Sequence, residues 1–270
     1  MNCLFSLLIG LYIVSSTSCV LAAQPPDGAR WASLKDSLFG SRALQEDGGA
    51  RLSLEMPDRA ADAGAVPLAI TTRALPGDPG VRKIYLVIDN NPSPVGAIFN
   101  FGAPRDAVAL EIRVRVEDYS WVRVIAERED GSLLATKHYI KAAGGCSAPA
   151  GKTLAERHAG MGKMKWRVDG PRVSGGEQWA QLLIRHPNDS GLAMDQLTRM
   201  YDPPMFVNNV TVTRGDELIF TAQVDFSLSQ NPAFRFTLPP GGSGDLRARV
   251  SDTENRQFES TFPISAAQGD

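Results

Sequence analysis

The feature that most constrains this chain is a two-residue alternation of apolar and polar side chains. Over residues 108–117 every second residue is aliphatic, and the residues between them are mostly charged. Successive side chains of a β-strand point to opposite faces, so this pattern is typical of a strand buried on one face. The alternation recurs over residues 217–226 and 246–251. It predicts a chain built mainly from β-strands.

Turn residues indicate how these strands are arranged. The runs 121–127 and 133–140 are separated by an Asp-Gly pair, which is a strong hairpin signal. Further short runs lie at 66–72 and 81–88. Short strands separated by Gly, Pro and Asn turns favour β-sandwiches.

Two interruptions of the strand pattern divide the chain. Residues 31–40 place three apolar side chains on one helical face, and Gly40 suits the position after a helix, so a short N-terminal helix is expected. No period is sustained over 142–163. We therefore predict an all-β protein with one sandwich at 24–141 (the first half), a linking segment at 142–163, and a second sandwich at 164–266 (the second half).

The first residues are typical of an export signal. Residues 4–14 form an apolar run too short to span a bilayer, and a small-residue stretch ending at Ala23 follows. We expect residues 1–23 to be a cleaved signal peptide and the mature protein to be periplasmic, with no membrane association afterwards. Because no Lys or Arg precedes the apolar run, a lipid anchor on Cys19 and an uncleaved anchor are alternatives.

Composition and motifs argue against several functional classes. The net charge of −2 gives no general attraction to nucleic acid. No nucleophile elbow, phosphate-binding loop or dinucleotide-binding glycine pattern follows a strand, so we expect no enzymatic activity, no catalytic residue and no cofactor. The spacings of His138, His158 and His186 match no metal-binding motif, so no metal site is expected.

One cysteine stands out. Cys3 and Cys19 are removed with the expected signal, which leaves Cys146 alone in the mature chain. A lone cysteine is unusual in an oxidising compartment unless it is buried or functional. Gly144 and Gly145 directly precede it and predict a flexible arm that can bend and enter a narrow cleft.

The neighbours of this cysteine in sequence predict its chemistry. Few apolar residues surround Cys146, and six Lys or Arg residues lie between positions 137 and 165. We therefore expect an exposed thiol whose pKa lies below the ordinary value of about 8.5. A flexible linker with an incidental cysteine is the alternative, and His158 is close enough in sequence to be considered as a base for the thiol.

Five short motifs resemble one family. In the first half, residues 61–67 are similar to the Ala-Glu-Asn-Gly-x-x-Val-Pro of SoxY, residues 91–99 to its Asn-Pro-x-Pro strand entry, and residues 137–146 to its Gly-Gly-Cys carrier arm. In the second half, residues 186–191 (His-Pro-Asn-Asp-Ser-Gly) and 229–236 resemble SoxZ. The fused arrangement looks like the SoxYZ-like carriers associated with quinoprotein dehydrogenases.

The resemblance implies a fold and a function. Both halves should be immunoglobulin-like sandwiches, and Cys146 should be the attachment point of a covalent carrier, with Gly144 and Gly145 as its flexible arm. Implied partners are periplasmic redox enzymes, namely a quinoprotein dehydrogenase, c-type cytochromes or both. The SoxY arm ends its chain with Gly-Gly-Cys-Gly-Gly, whereas Ser147 and a further 123 residues follow here. The alternative function is an accessory module of such a dehydrogenase in which the cysteine has no role.

Overall fold

A computed structural model describes residues 28–147, 153–169, 178–194 and 199–264. The expected signal peptide lies outside these ranges. No helix within them is both long enough and apolar enough to cross a membrane. The elements in the described ranges are α1 (Ala29–Phe39), β1 (Leu44–Glu46), β2 (Leu52–Glu55), β3 (Val66–Arg73), β4 (Val81–Ile88), β5 (Val95–Arg105), β6 (Ala107–Val114), β7 (Ser120–Arg128), β8 (Leu133–Ile140), α2 (Leu154–His158), β9 (Met164–Asp169), β10 (Gln178–Ile184), β11 (Val207–Arg214), β12 (Glu217–Val224), β13 (Ala233–Leu238), β14 (Leu246–Asp252) and β15 (Gln257–Phe262).

These strands form two sheets. The larger has the order β1-β8-β7-β4-β5-β12-β11-β14-β15, and the smaller has the order β2-β3-β6-β13-β10-β9. Their inward-facing apolar side chains share one core. The predicted all-β sandwich fold is confirmed, and the predicted runs correspond to strands β3, β4, β6, β7, β8, β12 and β14 within three residues at each end.

Each sheet continues from the first half into the second. In the larger sheet β5 pairs antiparallel with β12, which places Phe99 opposite Ala222. In the smaller sheet β6 pairs antiparallel with β13, which places Leu110 opposite Phe236. We call the line along these two pairings the seam. Alternation shows which face of a strand is buried but not which strand lies beside it, so sequence periodicity does not predict this continuity.

Aromatic rings fill the core at the seam. Phe99, Phe220, Phe234 and Phe236 are all buried. The ring of Phe220 lies 5.7 Å from that of Phe99 and 5.1 Å from that of Phe236, both edge to face. Because Phe99 belongs to the first half and the other rings to the second, one apolar cluster stabilises both halves.

The N-terminal helix covers the other face of the larger sheet. Trp31 and Phe39 of α1 pack against Val87 and Ile125, whose side chains point away from the shared core. The helix ends at Gly40, which has a φ of +58°. The predicted N-terminal helix is confirmed.

A second helix lies in the linking segment, where none was predicted. The hydroxyl of Thr153 accepts a hydrogen bond from the Glu156 amide, and the Glu156 carboxylate accepts one from the Thr153 amide. This is a capping box, which Thr-x-x-Glu signals in the sequence. The helix is only five residues long, too short for hydrophobic periodicity to reveal it.

We expect Phe220→Ala to lower the free energy of unfolding by about 3 to 5 kcal/mol, because the variant leaves a cavity among buried rings of both halves. The protein should still unfold in one transition, since both sheets cross the seam. Calorimetry, with the ratio of calorimetric to van't Hoff enthalpy near one, measures both quantities.

The control is Leu75→Ala, at a side chain that is 50% exposed, where we expect a change within about 0.5 kcal/mol. Two separate transitions, of which Phe220→Ala shifts only one, would show that the halves are independently stable.

Candidate functional site

The segment after β8, residues 142–147, lies against the first half; we call it the arm. The amide of Gly144 donates to the carbonyl of Glu117 at 2.8 Å, and the amide of Gly145 donates to that of Val116 at 3.0 Å. Val116 in turn donates to the carbonyl of Ala63 at 2.9 Å. The arm is therefore hydrogen-bonded by its backbone to the chain that follows β6.

The two glycines permit this close approach. A Cβ on Gly145 would lie 2.1 Å from the carbonyl oxygen of Ala63 and 2.7 Å from that of Val116. Gly144 has a φ of +77°, which disfavours residues with a side chain. In this conformation the glycines serve tight packing, and their role as a flexible arm stays a prediction.

Cys146 is buried at the end of the arm, with 2% of its surface exposed. Its amide donates to Oε2 of Glu117 at 2.8 Å, and its carbonyl accepts a hydrogen bond from the hydroxyl of Ser190. The prediction of an exposed thiol is wrong for this conformation. The arm has few apolar residues of its own, but loops distant in sequence cover the cysteine.

The Glu117 side chain makes three hydrogen bonds with the arm. Besides the Cys146 amide, its carboxylate accepts hydrogen bonds from the amide of Ser147 at 3.1 Å and from the Ser147 hydroxyl at 2.6 Å. Hydrogen bonds to a carboxylate are stronger than those between neutral groups. One side chain thus binds both residues at the tip of the arm.

The surroundings of the thiol suppress its ionisation. Burial, together with the negative charges of Glu117 and Asp225, raises the pKa of Cys146 to about 12, while Arg115 acts in the opposite direction. The prediction of a lowered pKa is wrong for this conformation, because residues distant in sequence, and not the basic residues around position 146, determine the electrostatics. His158 is not among the groups that shift this pKa.

Arg115 connects the two halves beside the cysteine. It follows β6 directly, and its Nη1 donates to the carbonyls of Asn188, Phe226 and Leu228 at 2.6, 2.8 and 2.9 Å. All three carbonyls belong to the second half. Burial lowers the pKa of Arg115, while the surrounding acidic groups, Cys146 included, oppose that shift.

Buried asparagines of the sequence motifs fix the loops around Arg115. The Asn91 side chain donates to the carbonyl of Arg115 at 2.9 Å and accepts from the amide of Glu117 at 2.9 Å. The Asn188 side chain donates to the carbonyl of Leu228 and accepts from the amide of Val207, both at 2.9 Å. These motif residues therefore position the backbone that surrounds the cysteine.

The motif at residues 186–191 also contacts the chain beyond the arm. Its Asp189 forms an ion pair with Arg157 of α2, and Arg157 forms a second one with Asp202. Its Ser190 holds the Cys146 carbonyl. Adjacent residues of one loop thus bind the chain on both sides of residues 148–152, which lie outside the described ranges.

The three histidines lie in different parts of the fold and have different contact partners. His138 is on β8, with Nε2 3.0 Å from Asp58, and His158 is on α2. His186 is buried and accepts the Asn188 amide at 3.0 Å through Nδ1, while its Nε2 lies 3.3 Å from Asp252. Within the described ranges, no group of three potential metal ligands lies close enough to hold a metal ion.

Comparison with protein-family models matches both halves. Residues 35–146 match the family described as sulfur oxidation protein SoxY, and residues 167–263 match the one described as sulphur oxidation protein SoxZ. The chain is a SoxY domain fused to a SoxZ domain. The SoxY match ends at Cys146 itself. The resemblance inferred from short motifs is confirmed, and the protein belongs to carrier families of sulfur oxidation.

Solved structures add no functional information. A beta-glycosidase from Bacteroides vulgatus is 9% identical over 79% of this chain, with a TM-score of 0.24. A glycosyl hydrolase family 2 member from Bacteroides cellulosilyticus DSM 14838 is 7% identical over 74%, with a TM-score of 0.19. The chain spans 24% of each of these proteins. Comparison with curated proteins gave no match.

The sequence indicates Cys146 as a functional residue, but it does not indicate the residues around it. These are Arg115, Glu117, Asp225 and Ser190. Arg115 and Glu117 directly extend the alternating run of β6, where charged residues are expected on the exposed face. Ser190 lies within the SoxZ-like motif at residues 186–191, and this motif is the sequence signal that could have indicated its role.

The charge of Asp225, which directly follows seam strand β12, makes the stability of the protein depend on pH. Burial raises the pKa of Asp225 from its ordinary 3.8 to about 6, so the folded protein takes up this proton at a higher pH than the unfolded chain. The ionised carboxylate therefore destabilises the fold above pH 6, and this penalty disappears as the pH falls towards 4. We expect Asp225→Asn to be more stable than the parent at pH 8 by roughly 1 to 3 kcal/mol, and equally stable near pH 4.

Urea unfolding of both proteins at each pH measures this difference. Burial lowers the pKa of His186, which reduces stability as the pH falls below about 6.5, but this contribution is present in both proteins and cancels. Asp216→Asn, at an exposed position, is the control and should give no pH-dependent difference. A difference for Asp225→Asn that is the same at pH 4 and pH 8 would contradict the prediction.

Proposed function

We propose that this SoxY–SoxZ fusion is a periplasmic covalent carrier that holds a sulfur-containing intermediate on Cys146 while partner redox enzymes act on it. The protein itself performs no catalysis in this proposal. The observation that carries the proposal is that the SoxY family match ends at Cys146, the free cysteine of the described residues. Export to the periplasm rests on the expected signal peptide at residues 1–23.

The chemistry of attachment requires the thiolate. In thiol–disulfide exchange, the Cys146 thiolate attacks a sulfur of a disulfide-type donor, a new S–S bond forms, and the second sulfur of the donor leaves as a thiolate. The reaction consumes no external oxidant, because the oxidation state of the disulfide is retained. Burial and the raised pKa disfavour this attack while the arm is docked, so loading requires Cys146 to become accessible.

A second candidate function is favoured by the same burial. A protonated cysteine that is 2% exposed suits a packing role, in which case the protein would be an accessory module of a periplasmic redox enzyme such as a quinoprotein dehydrogenase. The two candidates differ in one respect that can be measured. Only the carrier requires a covalent adduct on Cys146.

Protein isolated from its native periplasm should carry an adduct on Cys146 that a reductant removes. We expect Cys146→Ser to lack the adduct and to abolish oxidation of reduced sulfur compounds by the host, because no other mature cysteine is available. Intact-mass spectrometry and peptide mapping measure the adduct. Since the side chain is buried, the variant should also lose about 1 kcal/mol of stability.

Cys146→Ala separates loss of the thiol from the introduction of a buried hydroxyl and should give the same phenotype. A host that oxidises sulfur compounds normally with either folded variant would rule out the carrier and leave the accessory module.

A further inference from the structure

Resting on the proposed carrier function, we propose that Glu117 and Ser190 form a two-sided clasp that holds the arm in a closed state in which Cys146 is unreactive. Glu117 belongs to the SoxY half and Ser190 to the SoxZ half. Both act as positioning residues, because each binds the backbone of the arm and neither is the attachment point.

The first side of the clasp is the carboxylate of Glu117. It accepts three hydrogen bonds from consecutive residues of the arm, two from the backbone amides of Cys146 and Ser147 and one from the Ser147 hydroxyl. The backbone of Glu117 is itself fixed, since its amide donates to buried Asn91 and its carbonyl accepts from Gly144. A fixed, charged acceptor is well suited to hold a segment that has little apolar surface of its own.

The second side is the loop at residues 186–191 of the SoxZ half. The Ser190 hydroxyl donates a hydrogen bond to the carbonyl of Cys146, whereas Glu117 accepts one from the amide of the same residue. Ser190 is 8% exposed, and its oxygen also accepts the amide of Leu192 at 3.1 Å. Both polar groups of the Cys146 peptide backbone are therefore satisfied, one by each half of the protein.

The clasp has a chemical consequence for the thiol. Closure buries Cys146, and it places the Glu117 carboxylate where its charge opposes formation of the thiolate. The group that holds the arm is thus also one that keeps the thiol protonated. A partner that competes for the arm would break the hydrogen bonds and restore reactivity in the same step.

Alkylation of the purified mature chain by iodoacetamide, followed by intact mass at pH 8, tests the clasp without cargo or partner. The native parent should react at least tenfold more slowly than the urea-denatured protein. Glu117→Ala should react at least tenfold faster than the native parent, and Ser190→Ala should be accelerated less because it removes one hydrogen bond. Glu129→Gln, an exposed carboxylate of the same half, is the matched control and should leave the rate unchanged.

A pH profile separates the clasp from general destabilisation. Glu117→Gln should lower the apparent pKa for alkylation more than Ser190→Ala does, because it removes the repelling charge as well as weakening the clasp, whereas Ser190→Ala only weakens the clasp. If Glu117→Ala fails to fold, as judged by its near-ultraviolet circular dichroism, Ser190→Ala and Glu117→Gln decide the matter. A native parent that reacts as fast as the denatured chain, or folded clasp variants with unchanged rates, would overturn the proposal.

The outcomes distinguish this proposal from the carrier function. If the parent is alkylated slowly and the clasp variants fast, but Cys146→Ser supports sulfur oxidation, the clasp is supported and the carrier function is ruled out. If the native parent is alkylated fast but carries an adduct on Cys146 in the cell, the carrier function is supported and the clasp is ruled out.

Discussion

The pairing of β5 with β12 and of β6 with β13 fixes the register of the two halves, and the contact of the SoxZ half with the cysteine depends on that register. Arg115 directly follows β6, and Asp225 directly follows β12. The seam strands therefore deliver a half-buried guanidinium and a half-buried carboxylate to the same end of the sandwich. Because Arg115 donates to three carbonyls of the SoxZ half, a shift of one residue at the seam would leave its hydrogen bonds unmade.

The SoxZ half has a specific role in this arrangement. Its loop at residues 186–191 provides the carbonyl of Asn188 for Arg115, the carboxylate of Asp189 for Arg157, and the hydroxyl of Ser190 for the arm. The arm belongs to the SoxY domain, but part of its docking site belongs to the other domain. A fused chain keeps both parts together in one molecule, so docking of the arm does not depend on protein concentration.

The sequence predicted the strands of the fold better than the environment of the cysteine. Alternation identifies strands such as β6 and β12 because the period of two is a local property of the backbone. The seam and the burial of Cys146 arise from contacts between residues far apart in sequence, such as Cys146 with Ser190, and local composition carries no information about them. The basic residues near position 146 were therefore a misleading guide to its electrostatics. The signal at Glu117 was only its position after an alternating strand.

Docking and ionisation of the thiol are coupled. In the docked arm the pKa of Cys146 is about 12, against about 8.5 for a free thiol. The docked state therefore favours the thiol, the released state favours the thiolate, and between these two pKa values each unit of pH favours release about tenfold. The same electrostatics apply to a negatively charged cargo on the sulfur, which would face Glu117 and Asp225 with Arg115 as the opposing charge. Attachment of an anionic cargo should then weaken docking, so that a loaded arm is presented to partners more readily than an empty one.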